Sequence, residues 1–147
     1  MKRLLICSLL FTTTACTHIT RDVQPDAGPA IRRMSREFGE AASAGNVDGM
    51  MAIYAYDIVL LPPNAPEFRG LAAVRQFWSG MAAAKPKVTL TPVTILESCE
   101  LATEIGRYEL TIGPMKDEGK YVVTWRRTDG EWRAIADIFN SNKPPQM

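Results

Sequence analysis

Residues 119–142 constrain the fold more than any other stretch, because they encode a β-hairpin. Asp129-Gly130 stands between two runs rich in Val, Ile, Trp and Phe. This dipeptide favours a two-residue type I′ turn, in which both central residues need φ > 0. The turn therefore sets the pairing of two long strands, beginning with Thr128 opposite Glu131.

The side chains of this hairpin alternate between two faces. If the register continues without interruption, Val122 lies opposite Asp137. One face then carries Val122, Thr124, Ile135, Asp137 and Phe139, and the other carries Tyr121, Val123, Trp125, Trp132, Ala134, Ala136 and Ile138. Both faces are largely apolar, so each needs a cover. We expect the chain's own helices to enclose a pocket on the first face, and a second subunit to pack on the second face in a homodimer.

The composition indicates one globular domain without a nucleic-acid partner. The chain has 147 residues, of which 46% are hydrophobic and 22% are charged. These values suit a single core of ordinary size. The 17 basic and 16 acidic residues are spread along the chain and leave a net charge of +1, so no basic patch for nucleic acid is evident.

The first residues have the layout of a secretory signal. A basic start is followed by an apolar run from Leu4 to Phe11 and by small residues that lead to Cys16. Ala15-Cys16 resembles the end of a bacterial lipoprotein signal, after which the cysteine carries the lipid. Thr13 stands where that pattern usually has Leu, so conventional cleavage and a retained anchor stay open as alternatives. We expect an exported protein, lipid-anchored at Cys16 on the periplasmic side of the cell envelope.

The cysteines and the histidine do not form a reactive or metal-binding set. Removal of the signal takes Cys7 with it, and lipidation would occupy Cys16, so no disulfide within the chain is expected. Cys99 falls in a predicted strand, where a cysteine is usually a small apolar core residue. His18 is the single histidine and lies beside the cleavage site. We therefore predict neither a metal nor a cofactor.

Periodicity divides the chain into a signal (1–15), a flexible tether (16–29), a domain (30–142) and a short tail (143–147). Helical spacing begins near Ile31, a short second helix follows Asn46 as its cap, and a third helix covers residues 71–84. The predicted strands are 57–61, 88–98, 101–112 and the two arms of the hairpin. The order ααβαββββ predicts an α+β fold, in which a curved, mostly antiparallel sheet wraps around the N-terminal helices.

Several segments carry a family likeness. They are residues 46–63, 68–78, 104–108, 119–127 and 132–140. Together they resemble the SnoaL-like, ketosteroid-isomerase-related part of the nuclear-transport-factor-2-like superfamily, in a branch of unknown function, over residues 30–142. The resemblance implies a cone-shaped fold with a strongly bent sheet, a deep apolar pocket and dimerisation through the sheet.

The resemblance also implies where an isomerase would carry its catalytic groups. In the isomerases, a tyrosine on the first helix and an aspartate on a late strand form an oxyanion hole, and an aspartate at the end of the first strand moves the proton. The matching positions here hold Phe38, Val122 and Pro62. Without a base or oxyanion donors the barrier to proton transfer is not lowered, so steroid isomerase activity is not expected.

Asp137 is the main candidate for chemistry, with Tyr54 beside it. Complete burial of a carboxyl raises its pKa by as much as ~3 to 5, which prepares it for acid or base work near neutral pH. A structural aspartate bonded to Tyr54 or to loop backbone is an equally good interpretation. Glu104 and Tyr108 share one strand parity and would face either the pocket or the subunit interface.

Two functions follow from these residues and stay open. The favoured one is a non-catalytic domain that binds a small apolar ligand, since the packing motifs are retained while the isomerase groups are not. The other is an enzyme of isomerase, cyclase or hydrolase type that uses Asp137 as acid or base. The predicted ligand-binding residues are Phe38, Tyr54, Leu60, Trp78, Val122, Ile135, Asp137 and Phe139.

Overall fold

The computed structural model describes residues 26–144, which form three helices and six strands. The helices are α1 (Ala27–Ser43), α2 (Val47–Met51) and α3 (Gly70–Ala83). The strands are β1 (Tyr54–Leu61), β2 (Phe68–Arg69), β3 (Lys87–Ser98), β4 (Leu101–Ile112), β5 (Met115–Thr128) and β6 (Glu131–Ser141). The expected signal peptide with Cys7, and the start of the expected tether with Cys16 and His18, lie outside the described residues.

Local sequence explains where the first two helices begin. The Asp26 side chain accepts a hydrogen bond from the Gly28 backbone and caps α1, and Asn46 caps α2 in the same way. Helix α1 begins at Ala27, so the last residues of the expected tether belong to the helix. Among residues 26–144, no helix combines the length and hydropathy needed to span a membrane.

The strands form one sheet in the order β2-β1-β6-β5-β4-β3. All neighbouring strands are antiparallel except β1 and β6, which are parallel. The predicted α+β fold with a curved, mostly antiparallel sheet is confirmed. Strand β2 was not predicted, because its two residues lie in a segment with the composition of a loop. Helix α1 packs on β3 and α3 packs on β1, so both helices cover the same face.

The hairpin turn has the predicted form, but the register changes beyond Trp125. Asp129 and Gly130 have φ values of 53° and 81°, as a type I′ turn requires. Pairing follows the prediction as far as Trp125 opposite Ala134. A β-bulge then inserts Ile135, so Asp137 lies opposite Val123 rather than Val122.

The bulge corrects the predicted faces of the hairpin. Because one extra residue reverses the alternation in β6, Asp137 shares the inner face with Tyr121, Val123 and Trp125. Val122 points outward and is 36% exposed. The homodimer surface that the uninterrupted register predicted is therefore wrong, since its members Tyr121, Val123, Trp125 and Ala134 are buried in the chain's own core.

The predicted environment of Cys99 is also wrong. This residue lies in the turn between β3 and β4 rather than in a strand, and it is exposed. Its φ of 52° lies in the left-handed region. The strand bounds predicted from the sequence, 88–98 and 101–112, already leave this position between the strands, and in the structure β3 also ends at Ser98 and β4 begins at Leu101.

Candidate functional site

A cavity of about 260 Å³ lies between the helices and the inner face of the sheet. Phe38 comes from α1, Trp78 from α3, Tyr54 from β1, and Asp137 and Phe139 from β6. All five line the cavity, as the sequence predicted, although their contact with a ligand stays a prediction. Aromatic packing orders the wall, with the Trp78 and Phe139 rings stacked at 5.9 Å between centroids.

Three residues expected to bind a ligand do not line the cavity. Leu60 is fully buried in the core, next to Asp137 in the parallel register between β1 and β6. Val122 points away from the cavity because β5 places its odd-numbered residues inside. Ile135 is the extra residue of the bulge. The bulge in β6 links the last two corrections, because it puts Asp137 on the face of Val123 rather than on the face of Val122.

Asp137 and Tyr54 form a directly bonded pair at the cavity wall. The Tyr54 hydroxyl donates a hydrogen bond of 2.7 Å to Oδ2 of Asp137 and accepts one of 3.1 Å from Nε1 of Trp78. Asp137 is 8% exposed. The indole N–H thus orients the hydroxyl, and the hydroxyl holds the carboxyl at the cavity wall.

Burial decides the protonation behaviour of this pair. The pKa of Asp137 is raised to about 6, chiefly because burial removes water from the carboxyl. The hydrogen bond from Tyr54 lowers this pKa in part, and the negative charge of Glu104 raises it. Desolvation and the charge of Asp137 raise the pKa of Tyr54 well above its usual value. Asp137 therefore exchanges its proton near neutral pH, while Tyr54 stays neutral.

Glu104 is a second buried carboxyl on the inner face and is fully buried. Ser35 Oγ lies 2.8 and 2.9 Å from its two oxygens, Tyr121 Oη donates to Oε1 at 2.6 Å, and Trp125 Nε1 donates to Oε2 at 3.1 Å. Desolvation raises the pKa of Glu104, while these three donors lower it in part. Ser35, Tyr121 and Trp125 line the cavity, but Glu104 lies behind them.

Two glycines make room for inward-facing tyrosines, namely Tyr121, which bonds Glu104, and Tyr108 on the neighbouring strand. A Cβ atom on Gly106 would lie 2.1 Å from the Tyr121 ring, and one on Gly119 would lie 2.4 Å from the Tyr108 ring. Each glycine is the cross-strand partner of its tyrosine. The missing side chain lets the ring lie flat across the neighbouring strand. The sequence left open whether Glu104 and Tyr108 face the pocket or a subunit interface, and both face the inner side of the sheet.

A third carboxyl, Asp117, lies at the edge of the cavity. It accepts hydrogen bonds from Tyr108 Oη at 3.0 Å and from Ser141 Oγ at 2.6 Å. Burial raises its pKa, but these two hydroxyls, the Glu118 backbone and the charge of Lys143 together leave the pKa of Asp117 below its usual value. Sequence reasoning missed this residue because the hairpin was predicted to begin at residue 119, whereas β5 begins at Met115.

The three positions that match the isomerase catalytic residues hold no acid, base or hydroxyl group. Phe38 faces the cavity without a hydroxyl, Pro62 is buried, and Val122 points outward. The inward neighbours of Val122, Tyr121 and Val123, supply no carboxylate. Among residues 26–144, no group of three His, Cys, Asp or Glu side chains is placed to hold a metal ion.

The fold and the cavity agree with a family match. The model of the SnoaL-like domain matches residues 35–135. The chain belongs to the SnoaL-like domain family. No curated protein matches the sequence.

Solved structures of the same fold come from several bacteria. A nuclear-transport-factor-2-like protein of unknown function from Shewanella oneidensis has a TM-score of 0.70 at 18% identity, over 78% of this chain and 98% of that one. A protein of unknown function from Mycobacterium tuberculosis has a TM-score of 0.73 at 14% identity, over 80% of this chain and 73% of that one. A protein with a cystatin-like fold from Novosphingobium aromaticivorans has a TM-score of 0.70 at 17% identity, over 80% of this chain and 83% of that one. At these identities the similarity shows the fold alone.

Proposed function

We propose that this SnoaL-like domain binds a small, largely apolar molecule in its cavity. The observation that carries the proposal is a cavity of about 260 Å³ whose walls are mostly apolar and aromatic and include one nine-tenths-buried carboxyl, Asp137. Ligand sites in proteins usually combine an apolar lining with a few placed polar groups. Asp137 and Tyr54 supply the polar groups.

Filling the cavity tests this proposal. Leu90 lines the cavity, whereas Thr89 precedes it on β3 and is exposed. Leu90→Trp should abolish any small molecule seen by native mass spectrometry of the purified protein, and Thr89→Trp, the matched control, should retain it. Equal retention by both variants, or no bound molecule in the unmodified protein from its native host, would contradict ligand binding.

A catalytic role for Asp137 is the second candidate, and its raised pKa of about 6 favours it. A general base needs the ionised carboxyl, so the rate should rise through pH 6, whereas a general acid should lose rate there. Once a ligand is identified, Asp137→Asn should abolish its conversion while it still binds. Asp57→Asn, on the exposed side of β1, is the control. Conversion by the Asp137→Asn variant would remove the enzyme hypothesis.

We also propose that two copies associate through the outer face of the sheet. Ile105, Val122 and Ile138 are direct neighbours on β4, β5 and β6, and their exposed fractions are 41%, 36% and 46%. A continuous apolar row of this kind favours a partner surface. Val122→Glu should give monomers in analytical ultracentrifugation, and Lys120→Glu, on the same face, should not. An unmodified domain that is monomeric at micromolar concentration would contradict the dimer.

The proposed location is the periplasmic side of the envelope, with the lipid on Cys16. The support is the basic, apolar and small-residue succession that precedes this cysteine. Cys16→Ser should move the protein out of the membrane fraction, whereas Cys7→Ser, within the signal, should not. Mass spectrometry that finds an unmodified terminus at another residue would overturn the assignment.

A further inference from the structure

The charged and aromatic side chains of the cavity wall favour a ligand with one sign of charge. Seven aromatic side chains and two carboxyls, Asp117 and Asp137, line it, whereas Lys, Arg and His are absent from the lining residues described. The faces of aromatic rings carry negative electrostatic potential and attract cations within ~6 Å. The lining therefore carries two carboxyls and no cationic side chain, and aromatic rings lie around the space where a bound cation would sit.

Asp137 has an oxygen available to a ligand. Tyr54 donates to Oδ2, and within residues 26–144 no donor is assigned to Oδ1. The carboxyl is nevertheless 92% shielded from solvent, since its exposed fraction is 8%. An ionised carboxylate in an apolar site is costly unless it is paired. A neutral apolar ligand would remove more water from this oxygen without replacing it.

We infer that the cavity accepts an organic cation, namely an amine or quaternary ammonium group on a compact apolar body, with the charged nitrogen beside Asp137. The inference rests on the proposed ligand binding and specifies its chemical class. The ammonium group pairs with Oδ1, and the apolar body packs against Trp78 and Phe139. An anion would meet Asp137 without a compensating positive side chain in the lining.

Three probes of one shape separate the effect of charge from that of shape. They are 1-aminoadamantane, 1-adamantanol and 1-adamantanecarboxylate, which carry positive, zero and negative charge at pH 7.5. Isothermal titration calorimetry on the full mature protein should give a Kd for the amine about tenfold or more below that of the alcohol, with the carboxylate weakest. Equal or tighter binding of the alcohol would overturn the cation inference and leave ligand binding intact. Absence of binding by all three probes would overturn both.

A charge-removing variant tests the role of Asp137. Asp137→Asn should bring the amine and alcohol Kd values together. Glu118→Gln removes one negative charge from the exposed side of β5 and should keep the full preference for the amine. Persistence of the preference in Asp137→Asn would overturn the inference even if the amine binds tightly.

A pH series gives an independent readout. The amine keeps its charge below neutral pH, whereas Asp137 becomes protonated below about 6. The titratable groups facing Asp137 are Tyr54 on β1, Glu104 on β4 and Tyr121 on β5. Both tyrosines stay neutral because burial raises their pKa values. The preference for the amine should therefore decline between pH 7.5 and pH 5 in the unmodified protein, and a preference that is constant with pH would contradict the pairing with Asp137.

Discussion

Glu104 and Asp137 are buried carboxyls on the same inner face, but their surroundings differ. Glu104 receives hydrogen bonds from three side chains, which engage both of its oxygens. Asp137 receives one bond, from Tyr54, and lines the cavity. A buried carboxyl whose oxygens are all engaged contributes to the fold, whereas one with an available oxygen can act on a ligand.

The two carboxyls also show why a raised pKa alone does not identify a functional residue. Desolvation raises the pKa of both groups. What separates them is access, because Glu104 lies behind Ser35, Tyr121 and Trp125, and Asp137 faces the cavity. Chemistry with a ligand is therefore assigned to Asp137, and a structural role is assigned to Glu104.

The largest expected effect comes from removing Glu104. Glu104→Ala leaves three buried donors without their acceptor, and each unsatisfied group costs about 1 to 3 kcal/mol. We expect urea denaturation to show a loss of about 3 to 5 kcal/mol, because cavity water replaces part of the bonding. Glu109→Ala, exposed on the same strand, should change stability by less than ~0.5 kcal/mol. A loss below ~1 kcal/mol for Glu104→Ala would refute the structural assignment.

Asp137 should produce a pH-dependent effect of intermediate size. Its folded pKa of about 6 exceeds the unfolded value of ~3.9, so folding favours the protonated form. Its stabilising contribution is present below pH ~4 and is lost as the pH rises through 6, by about 3 kcal/mol in total. The difference in unfolding free energy between the unmodified protein and Asp137→Asn should change by most of this amount, about 2 to 2.5 kcal/mol, between pH 4 and pH 7.5. Parallel stability curves would show that the carboxyl is not desolvated as the structure indicates.

The smallest expected effect sharpens the comparison through the tyrosine donors. The Tyr54 hydroxyl lowers the pKa of Asp137, so Tyr54→Phe should raise the titration midpoint above about 6. The corresponding free energy is that of one hydrogen bond, about 0.5 to 1.5 kcal/mol. Tyr108→Phe removes a hydroxyl that bonds Asp117 instead and should leave the Asp137 midpoint unchanged. Carboxyl ¹³C NMR titration measures both variants, and equal midpoints would contradict the bonding to Tyr54.

Much of the fold was predictable because its signals are local. The Asp129-Gly130 turn and the Asn46 cap follow from backbone preferences of a few residues, and the structure confirms both. The contact between Tyr54 and Asp137 was foreseen because a buried hydroxyl and a buried carboxyl both need a partner. Ser35 was missed, since a serine on a helix carries no sign that it will meet a strand residue.

By itself, the sequence determined the α+β order, the hairpin turn and the presence of a carboxyl in an apolar row. Only the tertiary structure decided which residues share that carboxyl's face. The bulge at Ile135 has no local sequence signature, and it appears only in the pairing of β6 with β5, its neighbour in the sheet. Since side chains alternate with a period of two, that insertion placed Asp137 and Phe139 on the face of Tyr121 and Val123, opposite to the face of Val122. The same long-range pairing set Glu104 among its three donors.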